Sequence, residues 1–202
     1  MTRGSPAICF RRSRGGTAWW RRCRAAGRSG RGVPAPGSDS AYEIRLATEA
    51  DCDAIYACIG NSLARPKGKT PRKSYVDAAR RGELLMLEHL DQKDGEWHLE
   101  GMLEWYTRVD GVVTIKDAGT CGDTPDSAVV KRLVRELIAV QNPTELRAKT
   151  KDDQKDWMRI FAELPGFALE GKEYSRPNWV HIWSWAPGRT RVLAPAVIPA
   201  SR

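Results

Sequence analysis

The chain has 202 residues, five cysteines and a formal net charge of +8 at pH 7. Residues 1–40 contain nine arginines and one acidic residue, so this segment carries the whole excess charge and the other residues are balanced. A balanced folded part has no overall electrostatic attraction to nucleic acid. No apolar run approaches the roughly 18–20 residues that a membrane span needs, so we expect no membrane partner.

The cysteines and histidines show no pattern typical of a metal site. The cysteines form no CxxC pair and the chain has only three histidines, so we expect no metal. An odd number of scattered cysteines, in a chain without a secretory segment, favours reduced thiols and a cytoplasmic location. The cysteines are Cys9, Cys23, Cys52, Cys58 and Cys121.

Residues 1–39 form a basic extension that is rich in Arg, Gly, Ala, Ser and Pro. The extension has no hydrophobic periodicity and little to bury, which predicts disorder when it is alone. Three roles stay open for it: a nucleic-acid-binding tail that stacks Trp19 and Trp20 on bases, an organelle transit peptide, or a tail without a role, such as a translated stretch upstream of the true start. Nucleic acid is therefore expected as a partner only through this extension.

Residues 40–187 carry the patterns of a folded domain, and residues 188–202 have the composition of a coil tail. The segment YEIRLA, residues 42–47, alternates like a strand, and Thr48 with Asp51 predicts the start of a helix over residues 49–59. The segment GNSLARPKGKTP, residues 60–71, is predicted to be a loop. A second helix, RKSYVDAARR, is predicted to end at Gly82.

Three strand patterns follow, ELLMLEHL, WHLEGMLEWYTR and GVVTIKDA, with hairpin turns between them. The next helix is predicted to start at Pro125, with Thr124 as its N-cap, and it has an apolar stripe from Val129 to Ile138. A short strand TELRAKT, a helix KDDQKDWMRIFAEL and two strands, GFALEGKEYSR and NWVHIWSWA, complete the domain. This order predicts an α/β fold with a mixed, mostly antiparallel central sheet and helices on both faces.

The element order, with IRLATEADCDAIYACI near its start and FAELPGF near its end, resembles the GNAT superfamily of N-acetyltransferases over residues 42–186. In that family acetyl-CoA lies where two adjacent parallel strands separate. Its pantetheine arm pairs with the end of the fourth strand, here residues 116–119, and its pyrophosphate rests on N–H groups at the start of the next helix. The resemblance implies acetyl-CoA as acyl donor and these cofactor-binding residues: Lys116, Ala118, Gly119, Gly122, Asp123, Thr124 and Ser127.

The stretch GTCGDTPDSAVV departs from the family's cofactor loop, which reads roughly Arg/Gln-x-x-Gly-x-Gly/Ala. Only Gly122 and Ser127 fit that pattern, Pro125 removes one N–H donor, and Asp123 and Asp126 would face the negative pyrophosphate. One like-charge contact near 4 Å costs about 1 kcal/mol in water and about 4 kcal/mol at an effective dielectric near 20. The same residues also suit an ordinary helix start, so an empty site stays open as the alternative.

Acyl transfer to an amine needs a group that takes the amine proton. Glu104 on the third predicted strand and Asp117 at the end of the fourth are the best-placed carboxylates. The weaker candidates are Tyr174, Tyr106 and His98. Polar residues at such positions equally suit the solvent face of an alternating strand. A Tyr that many family members carry before the LGF motif corresponds here to Phe161, which transfers no proton.

Two further features have two interpretations each. The basic loop at residues 65–73 is predicted either to bind an acidic substrate or the CoA 3′-phosphate, or to be a solvated loop. One face of the last strand lines an acceptor pocket, or it forms core under a helix. That face carries Trp179, His181, Trp183 and Trp185.

The resemblance therefore predicts an N-acetyltransferase that transfers acetyl from acetyl-CoA to an amine of a small molecule or a protein, as a monomer or a homodimer. The alternative is the same fold without catalysis, which serves as a binding or structural module, for example a viral accessory protein. Association with nucleic acid through the basic extension is a third hypothesis.

Overall fold

The computed structural model describes residues 42–64 and 72–189. The predicted extension at residues 1–39, residues 65–71 of the basic loop and the tail from residue 190 onward lie outside the described residues. Within the described ranges the chain forms eight strands and four α-helices, with a 3-10 turn at Glu49–Asp51 before the first helix. In chain order they are β1 Tyr42–Leu46, α1 Cys52–Cys58, β2 Ile59–Ser62, α2 Arg72–Arg81, β3 Leu84–Leu90, β4 Trp97–Thr107, β5 Val113–Cys121, α3 Ser127–Gln141, β6 Leu146–Lys151, α4 Lys155–Glu163, β7 Phe167–Ser175 and β8 Asn178–Trp185.

The strands form one mixed sheet in the order β1-β3-β4-β5-β6-β8-β7, and β2 pairs with β5 off this path. Every strand pair is antiparallel except β5 with β6, which are parallel. The crossover from β5 through α3 to β6 creates that single parallel pair. The predicted mixed, mostly antiparallel sheet is confirmed.

Helices cover both faces of the sheet, as predicted. Met102 on β4 is buried in a cluster with residues of α1 and α2, among them Ile55 and Tyr75. The neighbouring Gly101 approaches Val129 of α3 instead. Because successive strand residues point to opposite faces, α1 and α2 lie on one face and α3 on the other.

The apolar stripes of the helices make the core as the periodicity predicts. On α3 the buried residues are Val129, Val130, Leu133, Val134 and Leu137. On α4 they are Trp157, Ile160 and Phe161, and the Phe161 ring packs against Phe167 and Trp183. The stripe that contains Phe161 is thus core, which explains an apolar residue at that position.

Three details of the sequence interpretation are wrong, and all lie near the end of β5. Residues 60–62, predicted as loop, belong to β2, and β5 runs on through Cys121 because β2 pairs with its end. The N-cap of α3 is Asp126 rather than Thr124, since the Asp126 carboxylate accepts the N–H groups of Ala128 and Val129. The polar sequence of β2 has no period-two apolar signal, so its pairing was not visible in sequence.

Among the residues that the structure describes, no helix is both long and apolar enough to cross a membrane.

Candidate functional site

The two parallel strands β5 and β6 stay together for only a short distance. Val113 pairs with Leu146 and Thr114 with Arg147, after which the strands separate. Beyond that point β2 takes the free edge of β5, with Ser62 opposite Gly119. A gap between parallel strands is therefore present in the fold, and the chain's own residues fill one side of it.

The segment after β2 connects the two separated strands. The Leu63 N–H donates to Ala118 O at 2.8 Å, and Leu63 O accepts from Gln154 Nε2 at 2.6 Å. The Gln154 Oε1 in turn accepts the Lys151 N–H at the end of β6, at 2.8 Å. Leu63 thus lies between the ends of β5 and β6 and is bonded directly to β5 and, through Gln154, to β6.

The Asp117 carboxyl lies at this gap and is 2% exposed. Its Oδ1 accepts the Ser62 hydroxyl at 2.7 Å and the Ala64 N–H at 3.0 Å. Burial raises the pKa of Asp117, the two hydrogen bonds lower it, and the negative charge of Glu104 raises it further, with a net increase. Asp117 therefore holds the end of β2 in place and is able to keep a proton at higher pH than an exposed carboxyl.

Glu104 lies opposite Asp117 in the β4–β5 register and is also 2% exposed. The Lys116 ammonium donates to Glu104 Oε1 at 2.5 Å, and Arg81 Nη2 lies 3.9 Å from the same oxygen. Glu104 is thus engaged by two cations, whereas Asp117 is bonded to a hydroxyl and a backbone N–H. The structure thus brings the predicted residues Glu104, Asp117 and Lys116 together and gives the two acids different environments.

Tyr174 is not part of this group. It is an exposed residue of the β7–β8 hairpin, where its ring contacts Trp179 at a centroid distance of 5.4 Å. Strands β6 and β8 lie between β5 and β7 in the sheet. The weaker candidates also lie away from the gap, since His98 bonds to Asp94 in the β3–β4 hairpin and Tyr106 is exposed near the other end of β4.

The start of α3, where the resemblance expects the pyrophosphate, is bonded within the chain. The Asp126 carboxylate accepts the N–H groups of Ala128 and Val129 at 2.7 and 3.2 Å. The Asp126 N–H donates to Thr120 Oγ1 at 3.0 Å. A fixed carboxylate thus occupies the N–H donors that a helix start offers to an anion.

The remaining loop residues of the predicted cofactor set have mixed roles. Gly122 has a φ of +103°, and its carbonyl accepts from Asn61 Nδ2 at 3.0 Å. Asp123 and Thr124 are exposed. The Ser127 Oγ is buried and has no hydrogen-bond partner among the described residues. Of the predicted set, it is the one buried side-chain polar atom without a hydrogen-bond partner in the part of the chain described.

An acyl-CoA of the kind the resemblance implies needs the free edge of β5 and free N–H groups at α3. In this structure Ala118 O and residues 119–121 are paired with the β2 segment. The N–H groups of Ala128 and Val129 are bonded to Asp126. In this conformation the residues therefore do not fit an acyl-CoA, because both anchoring surfaces are already satisfied.

Two of the described cysteines are paired, which corrects the expectation of reduced thiols. Cys58 and Cys121 form a disulfide with a Cα–Cα distance of 5.2 Å, a normal span for such a bond. Cys52 is free and buried, and burial is the main reason for its raised pKa. The two paired residues are 63 positions apart, so no local spacing marked them as partners.

The aromatic face of β8 is core over most of its length. Trp183 stacks on Phe161 of α4 with ring centroids 6.2 Å apart, and its Nε1–H donates to Thr150 Oγ1 at 2.9 Å. His181 is 3% exposed, and its Nε2 lies 2.5 Å from Asp152 Oδ1. Only Trp179, at 49% exposed, projects well into solvent.

One cluster with metal-ligand geometry appears in the β3–β4 hairpin, which the sequence interpretation missed. Ligand atoms of Asp91, Asp94 and His98 lie within 4.8 Å of one another. The two aspartates already accept the N–H groups of Lys93 and Glu96, as turn carboxylates commonly do. The turn geometry thus accounts for this cluster.

Comparison with solved structures identifies the architecture. An acetyltransferase of the GNAT family from Bacillus cereus ATCC 10987 is 12% identical, with 72% of this chain and 97% of that chain covered and a TM-score of 0.56. The ribosomal-protein-S5-alanine acetyltransferase from Vibrio fischeri is 13% identical, with coverage of 76% and 100% and a TM-score of 0.53. AAC(6')-Ib, solved with ribostamycin and coenzyme A, is 16% identical, with coverage of 76% and 99% and a TM-score of 0.55. No family model and no curated protein matches this chain.

The chain therefore has the fold of the GNAT acetyltransferases, and the predicted fold class is confirmed. At these identities the likeness defines the fold, and the activity has to be argued from the site. The residues that sequence reasoning missed are those that fill the site: Cys58, Asn61, Ser62 and Leu63. The nearest signal for them was the set of small residues Gly60, Gly119 and Gly122, which permits a close approach of two backbones.

Proposed function

We propose that this protein is an acyl-CoA-dependent N-acyltransferase that uses acetyl-CoA and acts in the cytoplasm. The observation that carries the proposal is the separation of the parallel strands β5 and β6 after their pairing at Val113 and Thr114, with a buried carboxyl at the gap. Solved acetyltransferases of the same fold support it, one of them with coenzyme A bound. The proposal requires β2 to leave the edge of β5, because the conformation described does not fit the donor.

We assign Asp117 to the amine proton. Its Oδ1 lies at the gap, and its raised pKa reflects a burial cost that makes the charged form a stronger base than an exposed carboxylate. Glu104 is assigned a positioning role, because its carboxyl is already paired with Lys116 and Arg81. Tyr174 has no role in this assignment, since it lies three strands from β5.

The proposed acceptor is a primary amine of a small molecule or of a protein N-terminus. Structures of similar fold are named for each kind: spermidine and aminoglycosides on one side, ribosomal protein S5 alanine on the other. The panel to be tested should therefore contain spermidine, ribostamycin and a peptide with a free N-terminal alanine.

The first experiment is thermal unfolding of the full chain with and without acetyl-CoA, after reduction with dithiothreitol. A ligand at 100 times its Kd adds about 2.7 kcal/mol, which raises the Tm of a domain of this size by about 5–10 °C. The second readout is release of the coenzyme A thiol with the amine panel. Asp117→Asn should reduce the rate of release strongly and keep the Tm shift, whereas Tyr174→Phe should change neither.

A second candidate function follows from the filled anchors: a binding or structural module of the same fold without catalysis. The capping of Ala128 and Val129 by Asp126 favours it, because this carboxylate repels a pyrophosphate at the place where the fold would hold one. No Tm shift with millimolar acetyl-CoA and no thiol release, in either redox form, would establish this candidate over the transferase.

A further inference from the structure

The fit between β2 and the end of β5 depends on glycine. A Cβ atom at Gly119 would lie 2.5 Å from Ile59 Cγ2 and 2.7 Å from Asn61 O, and one at Gly60 would overlap the carbonyl oxygen of Gly122. Gly60 and Gly119 do not have positive φ, so space rather than backbone conformation requires glycine there. The sequence is thus fitted to this pairing at both strands.

Polar side chains complete the contact between the two strands. The Asn61 amide donates to Thr120 O at 3.2 Å and to Gly122 O at 3.0 Å, and Asn61 Oδ1 lies 3.3 Å from Thr120 N. The Ser62 hydroxyl donates to the buried Asp117 carboxyl at 2.7 Å. These bonds satisfy polar groups that would otherwise be left at the gap when β2 lies there.

The disulfide lies directly beside this contact. Cys58 is the last residue of α1, and Cys121, the last residue of β5, is the pairing partner of Ile59. The S–S bond therefore fixes the first residue of β2 to the end of β5. Both paired cysteines are partly exposed, whereas the free Cys52 is buried in the core. A reductant thus meets the pair more readily than it meets the third described cysteine.

We propose that Cys58 and Cys121 are a redox-active pair that controls the candidate site. The disulfide keeps β2 on the edge of β5, which we term the closed form, and reduction to two thiols lets β2 leave. This inference rests on the proposed function, because it assigns the freed edge to an acyl-CoA. The chain carries its own strand in the place of the donor until the pair is reduced.

The chemical step is thiol–disulfide exchange with a dithiol. One thiolate of the dithiol attacks a sulfur of the pair, and its second thiolate then displaces the protein sulfur from the mixed disulfide. The dithiol is oxidised to its own disulfide, and the protein takes up two electrons and two protons to give two thiols. Afterwards only non-covalent contacts hold β2, and a four-residue strand at an edge is marginal in water. A reducing cytoplasm would favour the open form, and oxidation would close it.

The direct test is hydrogen exchange of the full chain in the air-oxidised form and after dithiothreitol. We expect the amides of residues 61–63 and 119–121 to exchange at least ten times faster after reduction. In the reduced form, amides of the β3–β4 hairpin, such as Met86 and Met102, should still exchange at least ten times more slowly than those of residues 61–63, which excludes global unfolding as the route. Equal exchange in both forms would overturn the proposal, and so would two free thiols at Cys58 and Cys121 in the oxidised sample.

Cysteine variants test the same inference without a reductant. Cys58→Ser with Cys121→Ser should show the fast exchange without dithiothreitol, and Cys52→Ala should behave like the unmodified chain in both redox states. If the double variant fails to fold, Cys121→Ser alone is the second route, because it removes the disulfide and keeps the Cys58 side chain. Slow exchange at residues 61–63 in Cys121→Ser without dithiothreitol would overturn the control by the disulfide.

Acetyl-CoA titration separates this proposal from the proposed function. A Kd at least ten times lower in the reduced form than in the oxidised form supports both. Fast exchange after reduction without any acetyl-CoA binding supports the redox control of β2 and overturns the transferase. Equal affinity in both redox forms supports donor binding and overturns the control by the disulfide.

Discussion

The two edges of β5 are built from different kinds of contact. Along one edge β4 pairs with it as a hairpin from Val113 to Thr120, close in sequence and continuous apart from one bulge. Along the other edge β6 covers only the first two residues, and β2 covers the end. The first edge is formed by neighbouring residues of the sequence. The second is formed by two separate segments, β2 before β5 and β6 after it.

This difference separates the contacts that stabilise the domain from the contacts that control access to the edge of β5. A hairpin edge with residues buried on both faces opens only when the domain unfolds. Pairing of the short strand β2 with β5 brings together residues that are far apart in the sequence. The non-covalent contacts at this edge therefore have to offset a larger loss of chain entropy. A disulfide, two close glycine contacts and the side chains of Asn61 and Ser62 meet that need. We therefore expect perturbations of the two edges to have different consequences.

The largest expected effect is the loss of the disulfide. Its partners are 63 residues apart, and closing a loop of that size stabilises a protein by about 4 kcal/mol on the chain-entropy model. Cys58→Ser with Cys121→Ser should lower the free energy of unfolding by about that amount, measured by urea denaturation of the oxidised chain. Dithiothreitol should lower the stability of the unmodified chain similarly and leave the double variant unchanged. A difference below about 1 kcal/mol would show that the bond adds little to the fold.

The second prediction contrasts crowding at the two edges. A Cβ at Gly101 on β4 would lie 2.6 Å from Val129 Cγ1 and 2.9 Å from Gly119 O, inside the core under α3. Gly101→Ala should therefore reduce the free energy of unfolding by about 1–3 kcal/mol. In the reduced chain Gly60→Ala should cost less than Gly101→Ala, because β2 can then leave while the core stays packed.

The control for both glycine variants is Gly171→Ala on β7. Its φ is not positive and no heavy atom lies within 4 Å of the added Cβ, so the stability should change by no more than about 0.5 kcal/mol. A larger loss for Gly60→Ala than for Gly101→Ala would mean that the β2 edge belongs to the global folding unit, against the separation of stability from access.

Sequence patterns were sufficient for the edge that depends on neighbouring residues. The strand patterns WHLEGMLEWYTR and GVVTIKDA predict β4 and β5, and the apolar stripe from Val129 predicts α3. The same patterns could not predict β2, since IGNS has neither alternation nor β-branched residues beyond Ile59. Its pairing depends on shape at Gly60 and Gly119, and shape is visible only in three dimensions.

The candidate site shows the same division. Positions on the third and fourth predicted strands make Glu104 and Asp117 the best-placed carboxylates, and the structure brings these two together across β4 and β5. The weaker candidate Tyr174 lies on β7, and the strand order separates it from them because β6 and β8 lie between β5 and β7. The bond from Ser62 to Asp117 spans 55 residues, so no local pattern could reveal it.

The third prediction concerns the loop between β5 and α3, residues 122–126. Asp126→Ala removes the carboxylate that caps Ala128 and Val129, and the loss should be about 1 kcal/mol, in the usual range for an N-cap. Asp126→Asn keeps an acceptor and should cost little, while it removes the negative charge. The exposed Asp123→Ala is the matched control, with a change within about 0.5 kcal/mol.

The same three variants test whether this loop repels an anion. With the reduced chain, Asp126→Asn should bind acetyl-CoA more tightly than the unmodified chain, because one like charge is removed from the helix start. Asp126→Ala should follow the same direction with lower stability. Unchanged affinity in both would place the phosphates away from α3.

The smallest expected effect is a slope of the free energy of unfolding against pH, rather than a loss of stability at one pH. Asp117→Asn retains an oxygen that can accept the bonds from Ser62 and Ala64, so β2 should stay in place. Burial raises the pKa of Asp117 in the folded chain above its ordinary value of 3.8. The folded chain therefore binds a proton more tightly than the unfolded chain, and stability falls as pH rises from 3.8 through the raised pKa.

Asn does not titrate, so that slope should be absent from the variant. The free energy of unfolding of the unmodified chain minus that of Asp117→Asn should accordingly decrease with rising pH and level off above the raised pKa. Urea denaturation of both oxidised chains at a series of pH values measures this difference, because titration of carboxyls that do not interact with Asp117 cancels between the two chains. A difference that stays flat would mean that Asp117 titrates alike in the folded and unfolded chains. The Asp117 side of the β2 edge would then be open to water even when the disulfide is formed.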